Sequence, residues 1–165
     1  MNPIAIRLLN QQLICQQLTN PTEVVSHLGA LQAQDYRMMR WAVAMRTKRP
    51  SEEAFRKAYN SGEIIRMHLL RCTWQLITAQ DYGWMLELCA PKSIATLNGW
   101  MKSNKISIPE DEVLSVQQII EQTIGDKTNI TKENIAESLV RNGMKMEDHR
   151  LSYHIRLAEL SGLLV

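Results

Sequence analysis

The stretch Ile64-Ile65-Arg66-Met67-His68-Leu69-Leu70-Arg71-Cys72-Thr73-Trp74-Gln75-Leu76-Ile77-Thr78 decides how the chain folds, because its periodicity differs from everything around it. Ile65, Met67 and Leu69 alternate with Arg66, His68 and Leu70, as in a half-buried strand whose side chains point to opposite faces in turn. Residues 73–78 (TWQLIT) alternate again. Two strands joined this closely predict a β-hairpin, although Arg71-Cys72 lacks the Asn-Gly signal of the commonest hairpin turn.

Upstream of the hairpin the apolar period is helical. Ile6, Leu9 and Leu13 predict a helix from Ile4 to Leu18. Asn20-Pro21 supplies a cap and a proline at a first helical position, and Val24, Leu28 and Leu31 form the face of a second helix. A third runs from Tyr36 to Lys48 with Met38, Ala42 and Met45 as its buried stripe. Ser51, Glu52 and Glu53 open a fourth, since early carboxylates favour the positive helix end, and Asn60-Ser61-Gly62 closes it. Downstream, Thr78 with Asp81 caps a helix through Leu88. Pro91 predicts a break before a further stretch holding Ile94, Leu97 and Met101.

The polar run Lys102–Pro109 is the best boundary, dividing a first unit, residues 1–104, from a second, residues 105–165. In the second unit Val113, Val116, Ile119 and Ile120 mark one helix. Thr131 caps another that stops at Asn142-Gly143. A third runs from Met146 to Leu160, after which Leu163-Leu164-Val165 resembles the start of a strand. The predicted class is mainly α with a small β-hairpin, in tandem winged-helix units, the second incomplete before its wing.

Bulk properties set limits. The chain has 165 residues, 45% hydrophobic and 22% charged, ordinary values for a folded globular protein. Three scattered cysteines (Cys15, Cys72, Cys89) form neither a disulfide framework nor a metal knuckle, which fits a reducing cytoplasm. No apolar run reaches the roughly 18 residues needed to span a bilayer, and no signal-peptide core is present, so no membrane partner is expected. The net charge of +2 makes no case for nucleic acid. Its placement does. Between Arg37 and Lys57 stand seven basic residues (Arg37, Arg40, Arg46, Lys48, Arg49, Arg56, Lys57) against two glutamates.

The sharpest chemical feature is Gln32-Ala33-Gln34, between the second and third helices. Side chains at i and i+2 diverge by about 200° on a helix but share a side of an extended chain. If the two amides act together, the junction is non-helical. Asp35 is the nearest carboxylate, and alternation turns it away from them.

Residues 7–13 (RLLNQQL), 23–36 (EVVSHLGALQAQDY), 64–85 (IIRMHLLRCTWQLITAQDYGWM) and 157–165 (LAELSGLLV), in this order and spacing, resemble the winged-helix DNA glycosylases of the AlkZ and YcaQ kind. The resemblance implies tandem winged-helix units, a partner in double-stranded DNA carrying alkylated or cross-linked purines, and a catalytic role for Gln32 and Gln34. No cofactor is expected. Full members are about twice this long, so the chain matches an N-terminal part. One departure stands out. The family pattern Arg-Gly-Thr-x-His is here Arg71-Cys72-Thr73-Trp74-Gln75, without the glycine or the histidine.

The chemistry suits neutral amides. Breaking an N-glycosidic bond builds positive charge on the sugar and needs a water at the anomeric carbon. An N-alkylated purine is already cationic and leaves without a strong acid. An amide can orient the water and turn its carbonyl oxygen to the developing charge.

Candidate DNA contacts are Arg37 and Arg40 after the motif, Arg66, His68 and Arg71 on or beside the hairpin, and Lys145, His149 and Arg150 at the third helix of the second unit. His149 and His154 lack partners for a metal site, so no metal is expected. Trp41 and Trp84, on amphipathic helices, are expected in the core, and Trp74 or Trp100 could stack on an unpaired base. The alternatives to a glycosylase are a non-catalytic DNA-binding protein, such as a transcriptional regulator, and a protein-interaction module.

Overall fold

The computed structural model describes residues 2–127, 129–147 and 149–165. The chain divides into two compact units, Met1–Cys89 and Ala90–Val165. Their boundary lies earlier than the polar run 102–109, inside a helix that continues across Pro91.

The first unit contains α1 (Pro3–Asn10), α2 (Pro21–Leu28), β1 (Leu31–Gln32), α3 (Tyr36–Ala44), α4 (Glu52–Asn60), β2 (Ile64–His68) and β3 (Trp74–Thr78). The three strands form an antiparallel sheet in the order β1-β3-β2. Helix, strand, two helices and a hairpin is winged-helix order, with β1 closing the sheet against the hairpin. Alternation works as the sequence requires. Ile64 and Leu76 face a cluster with Val24, Val25, Met39, Val43, Phe55 and Ala58. Ile65, Met67, Leu69 and Ile77 face the opposite cluster, covered by Tyr82, Met85, Leu86 and Cys89. These last residues belong to α5 (Ala79–Ser103).

Caps appear where the side chains call for them. Asn20 accepts the N–H of Glu23 while Glu23 reaches back, a reciprocal capping box with Pro21 in the first turn. Ser51 caps α4, and Gly62 follows its end at φ +78°. The hydroxyl of Thr78 donates to the Asp81 carboxylate at 2.7 Å and accepts its N–H at 3.3 Å.

Several helical expectations need correction. α1 ends at Asn10 instead of continuing to Leu18, because the chain turns into left-handed backbone at Gln12 and Cys15 and the helix buries no residue that would sustain it. On α3 the buried stripe is Met39 and Val43, each 1% exposed, whereas Met38 and Met45 are 60% and 53% exposed. Trp41 and Trp84 are likewise exposed, at 65% and 52%. The Trp84 indole N–H donates to Asp81 at 2.9 Å, so its polar edge is satisfied at the surface. Pro91 does not break α5. Its ring sits on an exposed position, while Ala90, Ser93, Leu97 and Met101 bury the helix's other face and offset the one lost backbone bond.

The hairpin turn forms without asparagine or glycine. Arg71 and Cys72 both take positive φ, at +55° and +56°, and the N–H of Thr73 donates to the Leu70 carbonyl at 3.1 Å. This is the primed turn that the twist of a hairpin favours. Cys72, where the resemblance implied a glycine, is held in left-handed backbone.

The second unit comprises the later part of α5 with α6 (Glu110–Ile124), α7 (Lys132–Arg141) and α8 (Arg150–Leu160). Thr131 caps α7 reciprocally with Asn134, and Gly143 follows its end at φ +79°. Val116, Ile120, Ile135, Leu139 and Ala158 form its core. Leu163 and Leu164 do not start a strand. Their N–H groups donate to the Ala158 carbonyl at 2.9 and 3.1 Å, and their side chains pack on that core.

Candidate active site at the Gln-Ala-Gln junction

The junction between α2 and α3 is extended, as joint action of its two amides requires. Leu31 and Gln32 form β1, with Gln32 opposite Gln75 of β3. The N–H of Ala33 donates to the Trp74 carbonyl at 2.8 Å and continues the ladder by one residue. Ala33 is buried, and Gln32 and Gln34 on either side of it are exposed. The two glutamines thus flank a buried alanine and are both exposed to solvent.

Asp35 ends the extended segment and starts α3. Its Oδ1 accepts the N–H groups of Arg37 at 2.7 Å and Met38 at 2.9 Å. The Met38 and then the Arg37 backbone bonds hold its carboxyl below the usual range. A carboxylate committed to a helix N-terminus is a poor base.

Gln34 is tied into the sheet. Its Oε1 accepts the Trp74 N–H at 2.8 Å, replacing the backbone acceptor that β1 would have supplied had it continued. Arg66, on β2, donates from Nε to the Ala33 carbonyl at 3.0 Å and from Nη2 to the Gln34 carbonyl at 3.4 Å. Its guanidinium lies 4.0 Å from the centre of the Trp74 ring and 5.9 Å from that of Tyr36. Two further ring contacts adjoin this stack. His68 meets the Trp74 ring at 3.7 Å, and Tyr36 meets Tyr59 edge-on at 6.2 Å.

The remaining candidate contacts sort by environment. Arg37 and Arg71 are exposed. Arg40 pairs with Glu52 at 2.7 Å and lies 5.6 Å from the Tyr36 ring. His68 is buried, with its ring against that of Trp74. In the second unit, Lys145 is exposed, and His149 takes φ +65° just before α8 with its ring 5.4 Å from that of Trp100. Arg150 is engaged internally. It donates to both Glu112 oxygens at 2.6 and 2.7 Å and to the Ser107 carbonyl at 2.8 Å. His154 Nε2 lies 3.0 Å from the same Glu112 oxygen, so these three groups form one network.

Sequence reasoning missed the contact of Gln32 with Gln75 and the attachment of Gln34 to Trp74. Pairing across some forty positions of chain leaves no local trace when β1 is two residues long. Among the described residues no group of three or more His, Cys, Asp or Glu side chains could hold a metal ion. No helix among them is long and apolar enough to cross a membrane.

Comparison with known families supplies the frame for this geometry. The model of the family described as "DNA glycosylase AlkZ-like" matches residues 25–165, which include the whole junction, the hairpin and the second unit. The chain belongs to the AlkZ-like DNA glycosylase family. Among solved structures it is similar to the Streptomyces sahachiroi DNA glycosylase AlkZ, with a TM-score of 0.66 and 21% identity over 93% of this chain. That match takes in 39% of the AlkZ chain. The likeness is one of fold. No curated protein matches the chain.

Proposed function

We propose that the chain binds double-stranded DNA and that Gln32 and Gln34 form an N-glycosylase centre that removes alkylated or cross-linked purines. The observation that carries this reading is the exposure of Gln32 and Gln34 on either side of a buried alanine at a non-helical junction, inside a chain of the AlkZ-like family. The exposed cations Arg37, Arg71 and Lys145 are suited to phosphate contacts, each contributing to a salt-dependent affinity.

The two glutamines divide the work. Gln34 has one carbonyl lone pair occupied by the Trp74 N–H, so its outward group is the NH2, a donor. Purine N3 and pyrimidine O2, the acceptors of the minor-groove edge, match such a donor. Gln32 keeps its whole amide for the reaction. Its carbonyl oxygen can orient a water toward the anomeric carbon and face the positive charge that grows on the sugar. The cationic alkylated base departs without protonation. A carboxylate base is unnecessary, which agrees with Asp35 being committed to the helix cap.

Fluorescence anisotropy on duplex DNA across a range of salt, followed by assay of base release from DNA holding N7-methylguanine, tests the proposal. The expected result is salt-dependent binding together with release of the methylated base. Binding without release would leave a DNA-binding module and overturn the enzyme. No salt-dependent binding would overturn both.

A further inference from the structure

We infer that Arg66 is a positioning residue for the Gln-Ala-Gln segment and does not contact DNA phosphate. The inference rests on the glycosylase reading for its kinetic consequence, although its structural part stands apart from it.

Three contacts close on themselves. Arg66 holds the main chain of the motif through the carbonyls of Ala33 and Gln34. The Gln34 side chain holds the main chain of Trp74. The Trp74 ring lies against the Arg66 guanidinium at 4.0 Å. Each member fixes the next, and Arg66 is anchored from below by its place in β2, paired with Leu76. A planar fork with several fixed donors suits two successive carbonyls, which the single ammonium of lysine cannot match. The guanidinium therefore has its Nε and one Nη directed inward, and its face is covered by indole. A phosphate-binding arginine presents that fork to solvent instead.

The ring also decides the orientation of Gln34. Oxygen and nitrogen of an amide are distinguished by their hydrogen-bond partners. The backbone N–H of Trp74 can only donate, so the carbonyl faces inward and the NH2 outward. Loss of Arg66 would release the Gln34 main chain, loosen this choice and leave the donor misplaced. DNA affinity, which draws on other cations, would be retained.

The test compares Arg66→Ala, Arg66→Lys and Gln34→Ala with the wild-type chain in three measurements. Hydrogen exchange at the Trp74 amide is expected to rise about tenfold or more in both alanine variants, with the Ile77 amide in the same strand unchanged. The salt slope of duplex binding is expected to stay at the wild-type value in the Arg66 variants. Single-turnover base release at saturating protein is expected to fall about tenfold or more in Arg66→Ala, with partial recovery in Arg66→Lys. If Arg66→Ala does not fold, Arg66→Lys carries the same three measurements, with exchange and release intermediate.

Unchanged Trp74 exchange would overturn the inference. So would a salt slope lowered by about one with normal release at saturation, the signature of a phosphate contact. If the wild type releases no base, the glycosylase reading fails, and exchange and salt slope still decide the role of Arg66.

Discussion

The side-chain carbonyl of Gln34 accepts the backbone N–H of Trp74 at 2.8 Å, so a residue of the candidate site doubles as the last rung of the sheet. Gln34→Ala should therefore cost stability as well as function. The site is exposed and water can replace part of the bond, which places the loss near the low end of about 0.5–1.5 kcal/mol. Gln34→Glu keeps the acceptor and removes the outward donor. It should unfold at nearly the wild-type urea concentration while still losing activity. Equal destabilisation by both substitutions would show that the bond to Trp74 does not form.

Cys72 stands in left-handed backbone at φ +56°, where a β-carbon is unfavourable. Cys72→Gly, which removes that β-carbon, should raise stability by up to about 1 kcal/mol in urea unfolding. A lower midpoint would mean that the contacts of the cysteine outweigh the strain of its backbone.

The register of α3 yields a direct contrast. Met39→Ala opens the first unit's core and should cost about 2–4 kcal/mol, whereas Met38→Ala should cost about 0.5 kcal/mol or less. Paired denaturation curves check this, and similar losses at both positions would contradict the observed face.

That contrast also shows where sequence reasoning stops. In YRMMRWAVAM the series Met38, Ala42, Met45 and the series Met39, Val43 are both apolar at helical spacing, one residue apart. Periodicity alone cannot choose between them; contact with Phe55 and Val24 across the core does. Caps were legible because they depend on side chains within three residues of a helix start, as at Asn20, Ser51, Thr78 and Thr131. The hairpin was legible from alternation, and its turn was not, since Arg71 and Cys72 adopt the required backbone against their own preference. Of the site, the extended Gln-Ala-Gln geometry was legible only on the condition that the two amides act together, since spacing by itself fits a helix equally well. The inward role of Arg66 did not, because an alternating arginine on a half-buried strand looks the same whether it faces phosphate or a carbonyl.

In the second unit, acid should destabilise through His154. Burial, outweighing its bond to Glu112, holds the folded-state pKa of this 1% exposed imidazole below the ordinary value of 6.5. The unfolded state then binds the proton more readily, so stability should fall as pH drops through the unfolded value near 6.5. Glu112 adds to this at lower pH. Burial works to raise its carboxyl, but the bonds from His154 and Arg150 prevail and lower it, so its contribution is present above about 4.5 and lost as pH falls through the folded value. Urea midpoints measured between pH 7.5 and 5.5 should decline in the wild type and decline less in His154→Gln. A flat wild-type profile would contradict the burial argument.

Arg150, part of the same network, is half-buried and fully engaged. Arg150→Ala should cost about 1–3 kcal/mol in unfolding, because it strips Glu112 of its main partner. Anisotropy should give it the wild-type salt slope on duplex DNA. A slope reduced by about one, with stability unchanged, would instead make it a phosphate contact.

The central claim is that the exposed amides of the Gln-Ala-Gln junction perform base excision. Its most direct measurement is single-turnover release of N7-methylguanine from duplex DNA by the wild-type chain and by Gln32→Ala, at matched fraction of DNA bound. Among the described residues the Gln32 side chain makes no hydrogen bond like that of Gln34, so its loss should leave folding and affinity intact while release falls about a hundredfold or more. Release by Gln32→Ala at the wild-type rate would contradict the claim.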